Sequence, residues 1–160
     1  MAAEAPEPYL LRPKASGDEY MLFDLYSAAL PLPVRTAEGM TMGEWQETRG
    51  RGFWLERRHE FVLEKQGSLV AWLRVNASLR VGSFTIMFHR LDDDGLEWLV
   101  NYGLMCLNGK SPIVCVASAY QERLLRLLEE MEFEKAAQSI KMVKELAIRI
   151  KEPSFMPVQA

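Results

Sequence analysis

Residues 81–89 alternate between apolar and polar positions. Gly82, Phe84, Ile86 and Phe88 share one parity and Ser83, Thr85, Met87 and His89 the other, which predicts a strand with one buried face. Two runs rich in β-branched and aromatic residues precede it, residues 60–65 and 69–76, and Gln66-Gly67-Ser68 between them suits a tight hairpin turn. Three antiparallel strands in a meander follow from this pattern. After Arg90-Leu-Asp-Asp-Asp-Gly95 the apolar period changes from two to about 3.6. Leu96, Leu99, Val100, Gly103, Leu104 and Leu107 then form one stripe, the mark of a helix with one buried face.

Upstream, Tyr9-Leu-Leu-Arg12 reads as a short first strand. Ser16-Gly-Asp-Glu19 has the spacing of a capping box ahead of Leu22, Leu25, Tyr26, Ala29 and Leu30, so a helix is expected there, stopped by Pro31 and Pro33. A second capping box, Thr41-Met-Gly-Glu44, predicts a shorter helix that ends near Arg49-Gly-Arg-Gly52. Downstream, residues 112–117 are a continuous apolar run of the kind that forms a central strand covered on both faces. Residues 120–131 carry Leu124, Leu125, Leu127, Leu128 and Met131 between charges, a helix packed on that strand. Ile140, Met142, Leu146, Ile148 and Ile150 share a parity interrupted by Lys144, which reads as one long strand or two short ones with a bend. The organisation expected is a disordered segment over residues 1–8, a single domain over 9–151 and an irregular tail over 152–160.

Composition narrows the function classes. The 160 residues are 49% hydrophobic and 26% charged, enough for one sizeable core, and the net charge of -3 with 19 scattered basic residues lacks the footprint of a nucleic-acid binder. Arg49, Arg51, Arg57 and Arg58 form the densest basic cluster, either a solvated loop or a grip on a phosphate-bearing ligand. The acidic, proline-containing start lacks the features of a signal peptide, and no apolar run reaches the roughly 18 residues a membrane span needs. A cytoplasmic protein is expected, with no membrane partner. Cys106 and Cys115 have no spacing suited to a metal site or a redox pair, and buried free thiols are expected at both. Trp45, Phe53, Trp54 and Phe155 lie in segments without obvious burial partners, which leaves a homodimer open.

The predicted order is strand, two helices, three antiparallel strands, helix, strand, helix, strand, a mixed-sheet α/β arrangement. It resembles the GNAT family of N-acetyltransferases. The resemblance rests on Tyr9-Leu-Leu-Arg-Pro13 with its following helix, the hairpin over 60–76, the strand and loop over 81–95, and Leu124-Leu-Arg-Leu-Leu-Glu-Glu-Met-Glu-Phe133. It implies a GNAT-like fold, acetyl-CoA as cofactor and acyl transfer to a small-molecule or peptide amine. In that family the fourth strand runs into a Q/R-x-x-G-x-G/A loop, where backbone N–H groups and the dipole of the next helix hold a pyrophosphate. Here Arg90 takes the first position and Gly95 the last, while Asp93 stands at the first glycine. Asp92, Asp93 and Asp94 either repel a diphosphate or cap the helix, where acidic residues in the first turn contribute roughly 0.3–1 kcal/mol each.

The resemblance further implies that backbone N–H groups around Met87 and Phe88 polarise the acyl carbonyl, so Met87, Phe88, Arg90 and Gly95 are the expected cofactor contacts. The family's tyrosine, which protonates the departing thiolate, falls on Leu128, and its Gly-Phe pair falls on Glu132 and Phe133. Tyr120 starts the same helix two turns earlier and reads as structural. Glu60, Glu64 and His89 stand on segments from which a base can act, although His89 equally fits as a polar strand end. Two functions follow: an acyl-CoA-dependent N-acyltransferase, or a non-catalytic GNAT-like module for binding or assembly that lacks both the anion loop and the acid. A third reading is an unrelated α/β domain whose element order coincides.

Overall fold

The computed structural model describes residues 4–38, 57–90 and 94–139. Strand β1 (Tyr9–Pro13) leads through a single 3-10 turn (Ser16–Asp18) into helix α1 (Glu19–Ala29), followed by α2 (Leu32–Glu38). Then come β2 (Arg57–Lys65), β3 (Ser68–Ala77), β4 (Gly82–Phe88), α3 (Leu96–Cys106), β5 (Ile113–Val116) and α4 (Glu122–Glu130). The sheet order is β1-β2-β3-β4-β5; the first four strands are antiparallel and β5 runs parallel to β4. The turn from β2 to β3 uses Gln66 at φ 52° and Gly67 at φ 80°, the positive-φ pair that a two-residue hairpin with right-handed twist requires.

The two faces of the sheet carry different covers. On one, Leu73, Val75, Phe84 and Ile86 meet Leu96, Leu99, Val100 and Leu107 from α3 and Leu124, Leu127 and Leu128 from α4. Phe84 is fully buried there and meets the edge of the Phe133 ring. On the other, Val62, Leu69 and Trp72 meet Leu22 and Leu25 of α1, with Tyr26 and Met87 packed alongside. The alternation read along residues 81–89 therefore separates two compartments: Gly82, Phe84, Ile86 and Phe88 face the α3 side and Met87 faces α1.

Four expectations are corrected. The capping box lies one residue early and opens the 3-10 turn, not α1: the Asp18 carboxylate, not Glu19, reaches back and accepts from the Ala15 N–H at 2.7 Å, and α1 has no side-chain cap hydrogen bond. Pro33 does not simply stop the chain; it sits in the first turn of α2, where proline's fixed φ and missing N–H are tolerated. Strand β5 is covered on one face only and forms the sheet edge among the described residues, with Val114 40% and Val116 60% exposed. Cys106 is exposed, because the last turn of α3 rotates it away from the stripe; Cys115 is half-buried, and burial pushes its thiol up to about 12. Ala5 packs against the larger core. The helix expected after Thr41, the strand expected over 140–150, the tail, Arg49, Arg51 and the four aromatics Trp45, Phe53, Trp54 and Phe155 lie outside the described residues.

Candidate functional site

Strands β4 and β5 pair from Gly82 opposite Ile113 to Thr85 opposite Val116 and then part, while β4 continues to Phe88 against β3. A strand that loses one neighbour partway along exposes the backbone groups that pointed at it. Gly82 N–H donates to Pro112 O toward β5, and His89 N–H donates to Val70 O toward β3. Alternation along the strand then sends the even-numbered amides toward β5 and the odd-numbered ones toward β3. Of the two residues expected to supply an acyl-binding N–H, Phe88 points its amide into the opening, whereas the Met87 amide belongs to the β3 ladder and only its side chain reaches the α1 face.

Gln121 sits at the root of the opening. Its Nε2 donates to the Ile86 carbonyl at 2.9 Å and its Oε1 accepts from the Ser118 N–H at 2.9 Å. The side-chain amide thus stands in for one backbone rung between the diverging strands. It is the N-cap residue of α4 yet makes no cap hydrogen bond, so its polar atoms join β4 to the loop that follows β5.

An open cleft of about 530 Å³ begins at this split. Its floor is Trp72 and Arg74 from β3 with residues 85–88 of β4; Tyr26, Ala29 and Leu30 at the end of α1 form one wall, and Ser118, Tyr120 and the start of α4 the other. Among the described lining residues the charged side chains are Arg74, Arg90, Arg123, Arg126 and Glu122. Arg74 lies over the Trp72 ring, 4.7 Å from its centroid, and its Nε donates to Glu60 at 3.2 Å. Arg90 Nε donates to Ala28 O at 3.1 Å, the exposed carbonyl end of α1, which a cation complements.

The other expected site residues are dispersed. Gly95 lies outside the cleft as the N-cap of α3, under Tyr9 and Leu63; a Cβ there would stand 3.0 Å from Leu63 Cδ2 and 3.3 Å from the Tyr9 ring. Glu60 accepts from Arg58 at 2.8 Å as well as from Arg74, and Glu64 accepts from Arg12 at 2.8 Å. Both carboxylates are committed to ion pairs, and with His89 they lie outside the described lining. Leu128 is 6% exposed within the larger core, whereas Tyr120 reaches the cleft. Asp92 and Asp93 lie outside the described residues.

Sequence reasoning missed Gln121, Trp72, Arg74, Arg123 and Arg126 as neighbours of one cleft, since they come from two segments far apart in the chain. One signal was present: a glutamine immediately ahead of a helix is a poor N-cap compared with Ser, Thr, Asp or Asn.

No protein-family model and no curated protein sequence matches the chain. Solved structures do match it. The GNAT domain of PAT from S. lividans superposes with a TM-score of 0.60 at 10% identity, over 84% of this chain and 86% of that one. An N-acetyltransferase from Staphylococcus aureus Mu50 gives 0.60 at 19% identity, over 82% and 86%. The ribosomal-protein-S18-alanine N-acetyltransferase from Escherichia coli gives 0.58 at 15% identity, over 81% and 79%. With the mixed five-stranded sheet, the divergence of β4 from β5 and helices on both faces, these likenesses establish that the chain has the fold of the GNAT N-acetyltransferases.

Proposed function

We propose that the chain is an N-acyltransferase that takes its acyl group from acetyl-CoA or a related acyl-CoA and gives it to an amine. The observation that carries the reading is the Phe88 N–H, directed into the β4–β5 opening at the floor of an open cleft. A fixed backbone donor of this kind stabilises a carbonyl oxygen as it gains negative charge, and it needs no reorganisation to do so. The GNAT-fold neighbours support the cofactor class, and the open cleft of about 530 Å³ beside β4 has room for an acyl arm, whereas Gly95 at the start of α3 is packed beneath Tyr9 and Leu63.

When bound, acetyl-CoA supplies the acyl group as an activated thioester. Phe88 N–H binds and orients the carbonyl oxygen, and Gln121 keeps the strands apart at the distance that leaves this donor uncovered. Met87 adds an apolar side chain to the floor, while the Trp72 ring lies beneath the Arg74 guanidinium. With Leu128 locked in the core, we assign the proton donor for a leaving thiolate to the Tyr120 hydroxyl, which shares the described lining with Tyr26 on the opposite wall. To Glu122, the carboxylate among the described lining residues, we assign the role of accepting the proton shed by the amine.

Calorimetric titration with acetyl-CoA and with free CoA, at two salt concentrations, tests the reading, followed by thiol release with a panel of amines. Micromolar, salt-sensitive binding and amine-dependent release are expected. Absence of heat at millimolar ligand overturns it in favour of a non-catalytic module, a reading that the buried Leu128 favours.

A further inference from the structure

We infer that Arg90 is a positioning residue of the transferase: it ties the α1 wall of the cleft to the end of β4 that carries the Phe88 donor, in place of the cofactor contact expected from its position in the loop motif. The inference rests on the acyltransferase reading. Beyond Thr85 the strand has lost β5, so the Phe88 amide is held from its other side and from its end. On the β3 side the ladder runs to Ala71 opposite Phe88, and His89 N–H donates to Val70 O at 2.8 Å. At the end itself Arg90 Nε donates to Ala28 O at 3.1 Å, across 62 residues of chain. Phe88 thus stands between two anchors, one to the floor and one to the wall.

The wall takes its hold from outside the helix. A helix ends in carbonyls that no helical N–H follows, and the last turn of α1 has no basic residue of its own. Leu30 N–H donates to Tyr26 O at 3.2 Å, Arg35 Nη1 reaches Ser27 O at 3.4 Å from α2, and Arg90 takes Ala28 O. A guanidinium there complements the negative end of the helix dipole as well as the carbonyl, which makes the contact stronger than a neutral hydrogen bond. The bond is exposed, so it adds little to overall stability; its effect is on where the wall sits. Tyr26, Ala29 and Leu30, which form that wall, lie within two residues of Ala28.

Two further observations separate Arg90 from a phosphate grip. Gly95, the other end of the loop motif, lies under Tyr9 and Leu63 and outside the cleft, so the two ends of the motif do not face one ligand. Arg90 is exposed and has no carboxylate partner among the described residues; the α1 carbonyl is what fixes its course. With the wall held, an acyl carbonyl seated at the Phe88 N–H stays on its donor. With the wall released, the carbonyl oxygen gains room to leave it.

Acetyl-CoA and free CoA share every phosphate and differ only in the acetyl group, so a pair of titrations separates the two roles. Arg90→Ala is expected to weaken acetyl-CoA binding by about three- to tenfold and to change free CoA binding by less than about twofold. Arg90→Lys, which keeps a cation and an N–H donor for the end of α1, is expected to recover most of the acetyl-CoA affinity. The carbon-13 shift of the Ala28 carbonyl reads the contact directly: it should move in Arg90→Ala and stay in place when acetyl-CoA is added to the unsubstituted chain. Equal weakening of both ligands, or an Ala28 shift on acetyl-CoA binding to the value found in Arg90→Ala, overturns the inference by giving Arg90 to the cofactor phosphates. Indifference of both ligands to Arg90→Ala, or an Arg90→Lys variant as weak as Arg90→Ala, overturns it as well. All four results leave the acyltransferase reading standing. If the unsubstituted chain binds neither ligand, that reading fails and the inference falls with it.

Discussion

The two ends of the sheet treat their backbone hydrogen bonds in opposite ways. From β1 to β3 the ladder is nearly closed: β2 pairs with β3 along its whole length, shifting register once between Leu63 and Glu64, and with β1 from Phe61 to Lys65, and Arg12 ties β1, the 3-10 turn and β2 together by donating to both Asp18 oxygens at 2.7 and 2.8 Å and to Glu64 at 2.8 Å. From β4 to β5 the ladder holds for four residue pairs and then opens, and one side-chain amide, that of Gln121, spans the split. The closed end uses its polar groups on itself and supplies rigidity. The open end leaves a donor at Phe88 for something else, so the place where the sheet forgoes pairing is the place where it can bind.

Breaking the closed end should have the largest effect. Asp18→Asn leaves the Arg12 guanidinium facing a neutral amide and is expected to cost about 2–4 kcal/mol in urea denaturation, less than a fully buried pair because Arg12 reaches solvent. The pH dependence has a definite sign. The hydrogen bonds from Arg12, with that from Ala15, hold the Asp18 carboxyl below its ordinary value. A lowered folded-state pKa means stability that is complete above the unfolded value of about 3.9 and lost as pH falls through the folded one. The acid limb of the stability profile below about pH 4 should therefore flatten in Asp18→Asn.

At the base of the open end, Gly82→Ala places a Cβ 2.8 Å from Leu107 Cδ2, and Leu107 is fully buried, so a cost of about 1–3 kcal/mol is expected by thermal or chemical denaturation. Gln121→Leu strands the Ile86 carbonyl and the Ser118 N–H. A loss of about 1–2 kcal/mol is expected, together with weaker acetyl-CoA binding; a variant that binds acetyl-CoA unchanged would show that the split does not depend on this amide. Arg126→Ala removes an exposed pair with Glu122 and should change stability by less than about 0.5 kcal/mol, so any effect it has on anionic ligands reads as electrostatics of the cleft and not as loss of fold.

Much of the closed end was legible in the residues. Gln66-Gly67 supplies the two positive φ values of the hairpin, and the parity of residues 82–88 assigns each side chain to one of two compartments, because a strand has a period of two whatever surrounds it. The helical stripe from Leu96 to Leu107 was legible for the same reason. Residues 112–117 misled, because a continuous apolar run looks the same whether one face of the strand is covered or both, and Val114 and Val116 are exposed. The capping box misled by one residue and belongs to the 3-10 turn, because Asp18 serves Arg12 and Ala15 together, a partnership that needs β1 to lie alongside.

The candidate site was legible only in outline. The resemblance carried by residues 81–95 pointed to the end of β4, but local pattern does not tell which amide of Met87 and Phe88 faces β3; that depends on register against a strand more than a dozen residues away. Nor does it bring Arg74, Arg90, Arg123 and Arg126 to one cleft, since charges scattered along a chain converge only when the strands that carry them are laid side by side. By itself the sequence determined the periodicities, the hairpin turn and the order of elements, because these follow from backbone geometry and the nearest few residues. Tertiary structure alone decided where the sheet opens, which backbone donor is left there and which charges surround it, because each depends on pairing between segments far apart in the chain.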